Sequence, residues 1–77
     1  MTDFYFTAIS GTDDVKTDLR CEQPSLDLAK VEARALLARM ATDRLSTDPC
    51  EMISVEIFDA GGNPLTELRL MYQEIDK

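Results

Sequence analysis

Apolar and polar positions alternate through DFYFTAI, residues 3–9. Phe4, Phe6 and Ala8 share one side of an extended chain, and Tyr5, Thr7 and Ile9 share the other, so the segment reads as a strand. VKTDL, residues 15–19, alternates again, with Val15, Thr17 and Leu19 set against Lys16 and Asp18. The turn-forming cluster SGTDD, residues 10–14, lies between them and predicts a hairpin. EMISVEIFD, residues 51–59, supplies a third strand with Ile53, Val55 and Ile57 inward. LTELRLMY, residues 65–72, supplies a fourth with Leu68, Leu70 and Tyr72 inward, and the loop AGGNP joins the two. In this second hairpin, Val55 opposite Leu70 and Ile57 opposite Leu68 sets Glu56 against Arg69. A slip of two residues sets Glu56 against Glu67, and like charges directly opposed are destabilising. The first register is therefore expected.

Between the hairpins the period changes. SLDLAKVEARALLARMATDRL, residues 25–45, reads as a helix. Ser25 is a good N-cap, Asp27 places a negative charge in the first turn, and Pro24 prevents an earlier start. Fraying near Ser46 and the pair Asp48-Pro49 end it. At 100° per residue, Leu26, Ala29, Ala33, Leu36, Leu37 and Met40 fall on one stripe, whose bulk suits it to cover the sheet. Leu28, Val31, Ala35, Ala38, Thr42 and Leu45 fall on the opposite side at steps of three and four, the spacing of a helix–helix seam. Asp27, Glu32, Arg34, Arg39 and Asp43 flank the two stripes. The plain reading of the second stripe is that alanine is a favoured helix former on any surface, with only Leu28, Val31 and Leu45 large and apolar. The sharper reading is a partner surface. The outer sheet face, carrying Tyr5, Ile9, Phe58 and Met71, is a second candidate, since it is more apolar than a solvated face needs to be.

The order ββαββ predicts an α+β fold: a four-stranded antiparallel sheet with one long helix packed on one face. Seventy-seven residues form a single domain, 1–77, with no internal linker and a small core. No apolar run is long enough to span a bilayer. Asp3 and the lack of a basic stretch before the first apolar residues argue against a secretory signal. Fifteen acids against eight bases give a net charge of -7. That charge opposes direct binding to nucleic acid and to anionic membrane surfaces. It leaves two readings, simple solubility or an acidic face for a basic partner. Cys21 and Cys50 flank a helix of about 33 Å, which extended flanks of about 28 Å cannot retrace. No disulfide is expected, and free thiols fit the cytoplasm.

Chemistry finds little purchase. DAGGNP, residues 59–64, has glycines, but a phosphate loop needs Lys-Ser/Thr opening a helix; here Gly61, Gly62 and Asn63 suit a hairpin turn. Asp13, Asp14, Asp18 and Glu22 cluster without the alternation of a calcium loop. With no histidine and two separated cysteines, a zinc site is not expected. Histidine is also the commonest acid–base group at neutral pH, and no carboxylate pair or activated nucleophile stands out. Phe4, Tyr5 and Phe6 lack the basic surroundings of an RNA-binding sheet. No catalytic, cofactor-binding or metal residue is assigned, no cofactor is expected, and the chain reads as a non-enzyme.

Several segments resemble a family of short proteins, abundant in rhizobia and other alphaproteobacteria, grouped as a domain of unknown function. The likeness lies in an aromatic start like Tyr5-Phe6 and an Asp near the second strand. It continues in a helix entry like SLDLAKVEA, residues 25–33, and a hairpin like DAGGNPL, residues 59–65. The chain departs from it at Cys21-Glu22, where Gly precedes the Glu, and at Ser25, where Asp is common. The resemblance implies a bacterial, intracellular protein and brings no activity or site residues. Taken together, the expectation is a small acidic cytoplasmic module that works through protein contacts as a homodimer. The alternatives are an acidic inhibitor or nucleic-acid mimic that binds a basic protein, and, more weakly, a small-ligand site or enzyme.

Overall fold

The computed structural model describes residues 1–11, 14–47 and 52–77. Strand β1 (Thr2–Ser10) and strand β2 (Asp14–Gln23) lead into helix α1 (Leu26–Thr47); strands β3 (Met52–Phe58) and β4 (Pro64–Met71) follow. The expected ββαββ order is present, in one antiparallel sheet with strand order β2-β1-β3-β4. Because β2 and β3 each run against β1, they run parallel to one another, and a connection between parallel strands needs a long crossover. The 22-residue helix supplies it. At about 1.5 Å per residue the helix returns about 33 Å, the length of a ten-residue strand at about 3.3 Å per residue.

The helix starts where the cap predicts. Ser25 Oγ accepts the Leu28 N–H at 3.3 Å, and its carbonyl accepts the Ala29 N–H at 3.1 Å. Ala29 and Ala33 are fully buried, and with Phe4, Phe6, Ala8, Val55 and Ile57 they form the core. Leu26, Leu36, Leu37 and Met40 pack against it, as expected of the inward stripe. The two alanines are thus the fully buried positions of the stripe, and its larger residues are partly buried beside them. The helix lies chiefly over β3.

Three details depart from the pattern. First, β2 runs on to Gln23, because Leu19 and Cys21 continue opposite Phe6 and Phe4. A bulge between Phe6 and Ala8 shifts its register: Leu19 pairs with inward Phe6, whereas Val15 pairs with Ile9, a residue of the other face. Second, β4 ends at Met71, so Tyr72 is not an inward strand residue; its hydroxyl donates to Glu74. Third, the β3–β4 register is the other one. Val55 faces Leu68, Ile57 faces Thr66, Ser54 faces Arg69, and Glu56 faces Glu67. The loop sets this. The Asp59 carboxylate accepts the N–H groups of Gly61 and Asn63, each at 2.9 Å, and Asn63 Nδ2 at 3.1 Å. Asp59 N–H donates to the Asn63 carbonyl at 3.0 Å, and Gly62 takes φ 83°. Arg69 offsets the opposed carboxylates with two bonds to Glu67, at 3.1 and 3.2 Å. The Asp48-Pro49 helix stop, Cys50 and Asp13 lie outside the described residues.

Candidate interaction surface

The outward stripe of α1 is open to solvent. Leu28 and Leu45 are each 45% exposed and Val31 49%, with Ala35, Ala38 and Thr42 lying between them. Thr42 satisfies its hydroxyl within the helix, donating to the Ala38 carbonyl at 3.0 Å. A polar group bonded inside the helix places little demand on whatever packs over it.

The outer sheet face is less uniform than its apolar residues suggest. Cross-strand rows follow from the register. Arg20, Tyr5 and Phe58 form one row, then Thr7, Glu56 and Glu67, then Ile9, Ser54 and Arg69, and finally Met52 and Met71. Tyr5 and Phe58 pair at one end, whereas Ile9 and Met71 lie beyond the carboxylates of Glu56 and Glu67. Tyr5, Ile9 and Phe58 are half-buried and Met71 is 77% exposed. The four residues therefore do not form one patch, because the pleat fixes who shares a face while the sequence separation fixes how far apart the rows stand.

Ion pairs stud this face. Arg20 donates to Asp3 at 3.1 Å and to Glu22 at 3.1 Å, and Arg69 to Glu67. Hydrogen bonding to Asp3 and the nearby negative charges raise the Arg20 pKa above its ordinary value; Glu67 does the same for Arg69. All of these groups are solvent-facing, so the pairs order side chains more than they stabilise the fold. Cys21, a free thiol, has its pKa raised by burial and by the charge of Glu32, against a bond to Gln23 that lowers it. It is held as a thiol at neutral pH, which makes it a poor nucleophile. Among the described residues, no three His, Cys, Asp or Glu side chains are grouped to hold a metal ion. Nor is any helix among them long and apolar enough to cross a membrane.

One surface was not legible from periodicity. β4 is an edge strand, and Leu65 and Leu70 on it are 41% and 42% exposed. Leu70 points to the helix side as its alternation predicts, but the helix lies chiefly over β3 and leaves Leu70 largely in water. Strand order decides this exposure, and no residue pattern within one strand encodes strand order.

Residues 4–71 match a protein family described as Domain of unknown function (DUF6894). No curated protein matches the chain, and no solved structure matches it.

Proposed function

The chain belongs to the DUF6894 family, and from that premise we propose that it is a non-enzymatic protein-interaction module acting as a homodimer in the cytoplasm. The observation that carries this reading is the set of large aliphatic side chains left in water. Leu28, Val31 and Leu45 line the helix, and Leu65, Leu70 and Met71 line the outer strand. A core this small gains little from keeping such residues unless a contact covers them. The absence of histidine from the sequence supports the non-enzymatic part, and the likeness of SLDLAKVEA and DAGGNPL to rhizobial proteins supports an alphaproteobacterial source. Light scattering on a sizing column, over a range of concentrations and at two salt levels, tests it. A mass near twice 8.6 kDa is expected. A monomer at every concentration rejects the homodimer and directs the search to a different protein.

The net charge of -7 favours a second reading, an inhibitor or nucleic-acid mimic with a basic protein partner. Charge-steered contacts weaken steeply with ionic strength. Partners captured from lysate that withstand high salt unchanged would rule it out.

A further inference from the structure

We propose that β4 is the self-association edge, and that two copies pair their β4 strands antiparallel about a two-fold axis at Leu68. The two four-stranded sheets become one continuous sheet. The inference rests on the homodimer reading and names its seam.

An edge strand offers a row of unpaired backbone groups, which proteins usually guard with lysine, proline or a bulge. On β4 the guards stand only at the start, at Pro64 and at the irregularity where Phe58 pairs with Pro64 and Ile57 with Thr66. From Thr66 to Met71 the pairing to β3 is regular. This stretch carries Glu67 and Arg69, with no lysine and no proline.

Symmetry leaves few registers. Antiparallel strands of one sheet can be related by a two-fold axis only if it stands perpendicular to the sheet, and residues facing across the seam must then point to the same side. The axis therefore passes through a residue position, not between two. An axis at Glu67 sets Glu67 against itself, and one at Arg69 sets Arg69 against itself; both oppose like charges. An axis at Leu68 sets each Glu67 against the Arg69 of the second copy, twice. The same axis brings Leu65 opposite the second copy's Met71 and Thr66 opposite its Leu70, so the exposed Leu65 and Met71 meet across the seam. Both helices lie on the same side of the joined sheet, while the Leu28 and Val31 stripe of each stays outside the seam. The opposite edge is a weaker fit. Arg20 is drawn back to Asp3 on β1, the β1–β2 pairing is bulged, and no described side chain of β2 is a large exposed hydrophobe.

Charge variants and crosslinking test the seam. Glu67→Arg removes the Glu56–Glu67 opposition inside the chain but sets arginines against each other across the seam. It should weaken the dimer about tenfold without lowering the melting temperature of the monomer. Glu67→Arg with Arg69→Glu should restore it. In a background with Cys21→Ser and Cys50→Ser, Leu68→Cys should give a covalent dimer on oxidation, because facing Cα atoms lie about 4.5–5.5 Å apart in either kind of antiparallel pair, within disulfide reach. The protein carrying only Cys21 should not crosslink. Val31→Glu with Ala35→Glu should leave the dimer intact. A wild-type dimer that ignores Glu67→Arg, or that crosslinks through Cys21 and not through the Leu68→Cys thiol, or that is broken by the helix variant alone, overturns the β4 seam and leaves the homodimer reading standing. A wild-type monomer by light scattering removes both.

Discussion

Ala33 and Ala35 stand two residues apart on α1 with opposite roles: Ala33 is fully buried against the core and Ala35 is exposed. Leucine at either position keeps a high helix propensity, so the helix itself is nearly indifferent to both changes. Packing is not. Ala33→Leu adds three carbons to a fully buried side chain of the core formed with Phe6, Val55 and Ile57. Overpacking of this kind costs about 1–3 kcal/mol. For 77 residues the whole stability is of order 4–12 kcal/mol. Ala33→Leu should therefore remove a large fraction of it and lower the melting temperature by roughly 4–8 °C per kcal/mol lost. Ala35→Leu should stay within about 0.5 kcal/mol. Urea titrations followed by circular dichroism give the midpoints. They are run at several protein concentrations so that any association is seen separately, since a dimer's stability depends on concentration. Equal losses for the two variants, or a larger loss for Ala35→Leu, would refute the assigned face of the helix and with it the exposure of Val31 and Leu45.

The loop gives two further tests. Gly62 has φ 83° with open space where a Cβ would stand, whereas a Cβ at Gly61 would sit at ordinary contact distance, 3.4 Å, from Asp59 and Asn63. Gly62→Ala should cost about 1 kcal/mol from backbone strain alone, with Gly62→Asn milder and Gly61→Ala near neutral by the same urea assay; a neutral Gly62→Ala would sink the strain account. The Asp59 carboxyl is held below its ordinary pKa of 3.8, first by the Asn63 N–H, then by the Asn63 side chain, with Gly61 adding to it. A depressed folded pKa contributes stability that is present above the unfolded value and is lost as pH falls through the folded one. Asp59→Asn should thus flatten the wild-type loss of urea midpoint below about pH 4; identical slopes would assign that loss to other carboxyls.

The fold was legible because each signal was local. Strict alternation in DFYFTAI marks β1, the 100° stripe from Leu26 to Met40 marks the covering face, and Ser25 marks the helix start; the structure places all three as expected. What escaped depends on relations between elements. The bulge opposite Thr7 moves Val15 out of step with Leu19, and nothing in VKTDL signals it. The position of β4 at the edge leaves Leu70 uncovered though its alternation is that of a buried residue. The candidate surfaces divide in the same way. The helix stripe needs only one element's periodicity, while the outer sheet patch needs the rows of three strands, and there the carboxylates of Glu56 and Glu67 part Tyr5 and Phe58 from Ile9 and Met71.

The hairpin register shows when charge pairing decides and when it does not. A slip of two residues keeps every side chain of β3 and β4 on its own face, so burial ranks the two registers alike. Charge alone then favours Glu56 opposite Arg69. The covalent loop overrides it: Asp59 closes on Gly61 and Asn63, which brings Pro64 opposite Phe58 and carries Glu67 to Glu56. Opposition of two solvent-facing carboxylates is a small penalty beside a closed, hydrogen-bonded loop, and Arg69 reduces it further by holding Glu67. No loop joins two separate chains. At the free edge of β4, axes at Glu67 and at Leu68 pair equal lengths of strand, so the side chains choose between them. Glu67 and Arg69, on one face and flanking Leu68, then carry the weight that they lack inside the hairpin.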